Sequence, residues 1–409
     1  MKEKIFDAID ALEPQMIDIL AGLIAIPAIS PLDGGEGEYD KAQYLAKKIE
    51  ALGLGKLEVY NSPDTSAKNG VRPNLIVRIP GKNSQRLWIM THMDVVPVGE
   101  RALWDTDPFE AVVKDGRIYG RGSNDNCQEL VASLFAAVAL KTLDLTPLRE
   151  ICLAFVADEE VGSKHGIQFL LKEKLFRVND LVVVPDGGNE NGDFIEVAEK
   201  SIAWLEFEVT GKQVHASMPQ LGRNACRAAN ELSVRLDAAF HNAFPDADDL
   251  FSPPISTFEP TRRGKNVDNV NTVPGREVFC FDCRVLPHIS LPAVMKVAEA
   301  EAKKIEEKYG VQVNIRTLQY EQAPIPTAQD APVVELLKKA LPQVLDANPM
   351  IGGIGGGTCA AYLRQNDIPT VVWAQEADTA HMPNEYSVIE HMKNESKVFA
   401  LMMTDDSTC

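Results

Sequence analysis

Ile151-Cys152-Leu153-Ala154-Phe155-Val156-Ala157-Asp158-Glu159-Glu160 is an unbroken apolar run that stops on three carboxylates. A short continuous run of this kind fits a strand buried on both faces, in a sheet covered by helices. The same pattern recurs along the chain. Arg86–Met90 runs out into Thr91-His92-Met93-Asp94, and Leu181–Val184 into Pro185-Asp186-Gly187-Gly188. Thr370–Ala374 leads through a short loop to His381. In open parallel sheets, ligands collect beyond the carboxyl ends of strands. Four strand ends would therefore deliver His92, Glu160, Asp186 and His381 to one rim. Asp125 follows Tyr119-Gly120-Arg121-Gly122 at the start of the apolar helix Glu129–Leu140, where a carboxylate also suits a helix N-terminus.

Working outward, Glu38–Leu52 reads as a helix ending before Gly53, and Asn74–Ile79 and Gln85–Met90 as strands. This alternation is that of an α/β layer architecture. The pattern changes after Lys200. Trp204–Thr210 alternates, and a helix follows at Asn224–Phe240. Beyond a Pro-rich connection come a strand at Glu277–Leu286, a helix at Leu291–Tyr309 and a strand at Val311–Leu318. That is a β-α-β-β-α-β order, as in ferredoxin-like domains. Past Pro324 the chain returns to helix at Ala331–Val344, a Gly-rich loop, a helix Thr358–Arg364 and the strand Thr370–Ala374. The expectation is a discontinuous catalytic domain, 1–200 and 319–409. It has a mixed, mostly parallel sheet flanked by helices, and is interrupted by a smaller α+β domain at 201–318.

At 409 residues the chain exceeds one ordinary core. Its formal charge is −18, from 41 basic and 59 acidic residues, and such a surface repels phosphate backbones, which argues against nucleic-acid partners. Met16–Ile29 is broken by Asp18 and Pro27 and reads as the first amphipathic helix, neither a signal peptide nor a membrane span. Seven cysteines without framework spacing suit a reducing cytoplasm. Cys280 and Cys283 stand three apart on a predicted strand and so face opposite sides, which disfavours a zinc or redox pair.

Taken singly, the rim residues are ordinary: a helix cap at Asp125, a turn residue at Asp186, surface charge at Glu159 and Glu160. Caps and turns have no reason to converge in type and topology, and the five together point to metal chemistry. Two divalent cations about 3.5–4 Å apart need a bridging carboxylate and mixed nitrogen and oxygen ligands. Asp125 is the natural bridge, with His92 and Asp186 on one cation and Glu160 and His381 on the other. Asp94 is placed to accept the other ring N–H of His92. Glu159 cannot easily share the direction of Glu160 and is left as a general base. The expected reaction is hydrolysis of an amide.

These segments resemble the M20 metallopeptidase and deacylase family, which includes acetylornithine deacetylase, succinyl-diaminopimelate desuccinylase, carboxypeptidase G2 and several dipeptidases. The matching stretches are Thr91–Pro97, Trp104–Phe109, Tyr119–Asp125, Ala157–Gly162, Pro185-Asp186 and His381–Glu385. The resemblance implies two zinc ions per chain, with cobalt or manganese as substitutes, and Glu159 as base. It also implies a lid domain through which many members form homodimers. Gly211–Pro219 looks like the family's lid motif, whose histidine, here His215, stabilises the carbonyl oxyanion, in dimers across the subunit boundary. Asn269–Pro274 resembles a segment that would set Asn271 facing substrate. Asp282-Cys283-Arg284 resembles a third, with two readings for Arg284: a partner for a substrate carboxylate, or a structural partner for Asp282. A nucleotide site at Gly352–Thr358 is rejected because no βαβ unit of sufficient length follows; Gly357 and Thr358 are candidates for a substrate carboxylate instead.

The chain departs from its relatives at Asp125-Asn126-Cys127-Gln128, where most carry Asp-x-Lys-Gly. Cys127 reads as a packing residue or a reactive thiol. A cis peptide, as in many relatives, is expected between Asp125 and Asn126. The resulting expectation is a cytoplasmic hydrolase of an N-acyl amino acid or short peptide, of the acetylornithine deacetylase or succinyl-diaminopimelate desuccinylase type, with no membrane partner. A dipeptidase or carboxypeptidase is the alternative within the class. A catalytically silent metal-binding interaction protein is the alternative outside it.

Overall fold

The structure, a computed structural model, describes residues 1–405. The chain divides into two compact units. One comprises Met1–Val197, Thr327–Gly352 and the chain from Cys359 onward; the other comprises Ala198–Pro326 and Gly353–Thr358.

The first unit is built on an eight-stranded mixed sheet. Its strands lie in the order Lys56–Pro63, Val71–Ile79, Glu150–Val156, Arg86–His92, Leu181–Asn189, Thr370–Gln375, Phe194–Glu199 and Met350–Ile354. The four central strands pair in parallel, and antiparallel strands flank them on both sides. The centre is where the apolar runs were needed: Arg86–His92 is buried along its whole length. On one face Trp88, Met90, Ala154 and Val156 pack with Ile167, Leu170, Ala360 and Leu363. The helix Cys127–Thr142 packs against Arg86–His92 and against the helices Ile389–Thr404, Glu13–Ile24 and Lys2–Ala11. Because it is buried all round from Cys127 to Leu140, it carries no amphipathic stripe.

Three local expectations are corrected. The chain opens with two helices, Lys2–Ala11 and Glu13–Ile24, rather than a first helix beginning near Met16. The strand expected to end at Val184 continues to Asn189 and carries Asp186 within it, because pairing with Thr370–Gln375 resumes after a register shift. The helix after the Gly-rich segment is only Ala360–Arg364, while Gly352 and Gly353 belong to the strand Met350–Ile354.

The second unit runs Ser201–Thr210, Ala225–Ala243, Thr257–Arg263, Arg276–Val285, Leu291–Tyr309 and Gln312–Glu321, with strands and helices in the β-α-β-β-α-β order. Its four-stranded sheet is antiparallel throughout, with Ser201–Thr210 and Arg276–Val285 in the middle. Phe207 stacks on Phe279 at 5.1 Å, and Phe240 on Phe258 at 4.8 Å. These rings tie the helix Ala225–Ala243 to the sheet. Cys280 and Cys283 are both buried free thiols.

Candidate metal centre

The parallel register decides where the site lies. His92 is the last residue of its strand and stands opposite Val156, and Met93 N–H donates to the Val156 carbonyl at 2.9 Å. The chain after Val156, bearing Glu159 and Glu160, therefore leaves the sheet beside His92. Asp125 arrives from the turn before the helix Cys127–Thr142, and the Asp125–Asn126 peptide is cis. Glu385 holds that turn. One of its oxygens accepts from Asn124 N–H and Asp125 N–H at 3.0 and 3.1 Å, and the other from Gly122 N–H at 3.1 Å and the Arg121 guanidinium at 2.6 Å. Asn126 fastens the turn to the strand ends. Its Oδ1 accepts from His92 N–H at 3.2 Å, and its Nδ2 donates to the Pro185 carbonyl and to Asp186 Oδ1.

The five rim residues converge. His92 Nε2 lies 2.9 Å from Asp125 Oδ1 and 3.3 Å from Asp186 Oδ1. His381 Nε2 lies 3.1 Å from Asp125 Oδ2 and 3.1 Å from Glu160 Oε2. Asp125 thus offers one oxygen to each imidazole. His92, Asp125 and Glu160 bring their ligand atoms within 4.8 Å of one another, and so do His92, Glu159 and Asp186. Two imidazole nitrogens among four carboxylates form a borderline-to-hard donor set. It fits divalent cations of the zinc, cobalt or manganese kind without choosing between them.

The electrostatics agree with such a set. Burial works against a charged His92, yet the carboxylates of Asp186, Asp125 and Asp94 outweigh it and hold the imidazole well above its usual range. Hydrogen bonds to Asp125 and Glu160 raise His381 to about 10. Burial of Asp125 is likewise outweighed, by the two imidazoles, and its carboxyl is held low. Burial pushes Glu160 up to about 7. It also pushes Glu159 well above the carboxylate range, and the neighbouring Asp186 charge adds to that. Without cations, the rim carboxylates favour the protonated form of both imidazoles. Metal binding must displace their protons.

Asp94 does more than the sequence suggests. His92 Nδ1 lies 3.0 Å from the Asp94 backbone carbonyl and 3.5 Å from its carboxylate. The carboxylate accepts from Glu159 N–H and Glu160 N–H, each at 3.1 Å, and so anchors the turn that carries both glutamates. Behind it, Arg72 is paired with Glu38 and lies 3.1 Å from Asp158.

Comparison with known proteins settles the family. Residues 88–405 match peptidase family M20/M25/M40. An uncharacterized metallohydrolase of Methanococcus maripaludis is 36% identical over 94% of this chain and 97% of its own length. The chain belongs to the M20 family. It is accordingly a metallohydrolase. A succinyl-diaminopimelate desuccinylase of a Nitratiruptor species is 26% identical over 94% of this chain and 98% of its own. The fold is shared with an aminopeptidase of Bacillus cereus, at a TM-score of 0.74 and 19% identity, covering 96% of this chain and 98% of that one.

The remaining candidates of this M20 metallohydrolase lie in the second unit. The two-stranded ribbon Val214–His215 with Thr272–Val273 sets His215 opposite Thr272, and Ala216 N–H donates to the Asn271 carbonyl at 2.8 Å. His215 and Asn271 are therefore neighbours on one ribbon. His215 Nδ1 accepts from Ser217 N–H at 3.1 Å, which leaves the ring proton of the neutral form on Nε2. Arg284 is paired bidentately with Asp282 at 2.6 and 3.0 Å and donates to the Gly355 carbonyl at 3.0 Å, so the structural reading of Arg284 has a geometric basis. The Thr358 hydroxyl donates to Glu199 Oε1 at 2.6 Å. Gly357 lies beside the same carboxylate; a Cβ there would stand 3.7 Å from Glu199 Oε2. Sequence reasoning gave no role to Glu385, Asn126 or Glu199. Of these only Glu385 carried a signal, as the end of the His381–Glu385 motif.

Proposed function

We propose that the protein hydrolyses the amide bond of an N-acyl amino acid, in the manner of a desuccinylase or deacetylase, with two zinc ions held by His92, Asp125, Glu160, Asp186 and His381. The observation that carries this reading is Asp125 placing one carboxylate oxygen on each imidazole. The succinyl-diaminopimelate desuccinylases that align with nearly the whole chain support the acyl class.

Bound in that set, divalent cations polarise a carbonyl and make a water more acidic. The other steps fall to the chain's own groups. Glu159 takes the proton of the attacking water and passes it to the departing amide nitrogen. A carboxylate that accepts a proton can return it as a carboxylic acid, which serves both halves of that transfer. Asp94 positions Glu159 through its backbone N–H. His215 Nε2–H would donate to the carbonyl oxygen as its charge grows, within its own chain or from a homodimer partner joined through the second unit. Asn271, Thr358, Gly357 and Arg284 would hold the substrate's carboxylate end. Hinges near Lys200 and Gln319 would bring these groups to the metals. The free thiols fit a cytoplasmic protein, and zinc is the metal named first because imidazole and carboxylate suit it.

The test is a hydrolysis screen of N-acetyl and N-succinyl amino acids and dipeptides, with zinc, cobalt or manganese, on the native chain and Glu159→Gln. The expected result is turnover of an N-acyl amino acid that falls ~10²–10⁴-fold in the variant with metal content unchanged. Turnover of dipeptides alone would replace the acyl reading with the peptidase one. Unchanged turnover in Glu159→Gln would remove Glu159 as the base.

A further inference from the structure

The chemistry above leaves unused a second group of acids, where the first turn of the helix Cys127–Thr142 meets the helix Ile389–Thr404. Glu129 and Glu395 are both fully buried there, as is Gln128 between them. The Gln128 amide joins the two. Its Nε2 lies 2.9 Å from Glu129 Oε1, 3.2 Å from Glu395 Oε1 and 3.1 Å from the Gln375 carbonyl. Gln375 N–H also donates to Glu395 Oε1, at 2.9 Å. The first oxygen of each glutamate therefore has a donor. The second oxygens, Glu129 Oε2 and Glu395 Oε2, have none, although both are buried.

No basic side chain among the described residues forms an ion pair with either acid. The nearest lysines along the second helix, Lys393 and Lys397, are turned to Asp10, Glu13 and Glu390. The other titratable groups facing the pair are acids: Glu376, just past the strand Thr370–Gln375, and Asp125. The shared Gln128 amide brings the two carboxyls close together. Two neighbouring carboxylates, both ionised, in a buried site and without a cation are strongly disfavoured. An ionised carboxylate only accepts hydrogen bonds, whereas one proton makes one oxygen a donor and the other its acceptor.

We infer that Glu129 and Glu395 share a single proton, and that this acid–carboxylate pair fastens the start of the helix carrying Asp125 to the end of the strand leading to His381. One proton turns one carboxyl oxygen into a donor and relieves the like charge beside it. Burial first, and then the neighbouring acids, hold the Glu129 carboxyl well above its usual range; burial does the same for Glu395. The two then titrate as a unit rather than as separate residues. Both are positioning residues. They touch neither substrate nor the rim, but Gln128 and Gln375 hand their geometry to segments that end there.

Infrared spectroscopy of the metal-loaded protein in heavy water tests this directly, because a protonated carboxyl has a C=O stretch distinct from that of a carboxylate. The double variant Glu129→Gln, Glu395→Gln, which keeps shape and polarity, should lose the intensity of one carboxylic acid at neutral pH. Loss of two acids would mean that each glutamate holds its own proton, and loss of none would mean that both are ionised. Either result overturns the inference. If a variant fails to fold, the native protein still decides: absence of any carboxylic-acid band at neutral pH overturns the pair without mutation.

Discussion

Asp125 and Glu129 stand four residues apart at the start of one helix, both amid buried acids, yet their charge is met in opposite ways. Asp125 touches two imidazoles and is held low. Glu129 touches an amide that another carboxyl shares, and is held high. The number of acids does not explain the difference, since both neighbourhoods are dense in them. What differs is the company. At the rim, imidazoles and the reach of the strand ends make a donor set that a cation can enter by displacing protons. One turn along, an amide and a dry helix–helix contact leave room only for a proton.

The largest effect should come from breaking the first half of that contrast. Asp125→Asn removes the carboxylate that serves both imidazoles. It should lower metal affinity by more than the ~10–100-fold that losing a supporting group costs, and activity should fall with it. Metal analysis after dialysis checks this. Retention of two metals per chain would mean that Asp125 is not shared between them. Adding metal to the stripped native protein near pH 8 should also release protons, because His381 titrates at about 10 in the absence of cations. The Asp125→Asn protein should release fewer.

A smaller effect is expected from Asp94→Asn. Its carboxylate holds the backbone of Glu159 and Glu160 with one oxygen each, and an amide keeps only one acceptor. Metal affinity or turnover should drop ~10–100-fold, with the fold intact by circular dichroism. An unchanged enzyme would show that the turn is held by other groups.

The rim was legible because four of its residues follow apolar runs and Asp125 precedes an apolar helix, and those patterns are local. Cys127–Thr142 was legible as a helix for its apolar length alone. The strand through Asp186 was not, because Pro185-Asp186-Gly187-Gly188 has the chemistry of a turn and is kept extended by pairing with Thr370–Gln375, a partner far away in the chain. The same holds for Glu385. It fixes the turn at Gly122–Asp125 from some 260 residues downstream, and only tertiary contact says so. Nothing local marks Gln128 and Glu129 as a buried contact, since Glu395, which completes it, comes from far along the chain.

The second half of the contrast gives the next prediction. Glu395→Leu removes the acceptor for both Gln128 and Gln375, leaving buried donors unmet at ~1–3 kcal/mol. Glu395→Gln keeps a carbonyl oxygen there and should cost less. Denaturant unfolding at neutral pH checks the ordering. Equal losses would mean that packing rather than hydrogen bonding matters at this contact.

The smallest effect is in the pH dependence, and its sign follows from the direction of the shift. The pair's proton is bound in the folded chain well above the pH, about 4.3, at which an exposed glutamate releases it. Its stabilisation is therefore complete below that unfolded value and is lost as pH rises through the folded one. Across this window the native protein should lose up to ~1.4 kcal/mol per pH unit on account of one proton. Other groups, the rim included, add slopes of their own, so the useful quantity is the difference between the native protein and the double variant Glu129→Gln, Glu395→Gln unfolded under the same conditions. The double variant should have the flatter profile toward alkaline pH, because its two amides have no proton to lose. Parallel profiles would mean that the pair carries no extra proton in the folded state, and the contrast between the two ends of that helical turn would then be one of geometry rather than of charge.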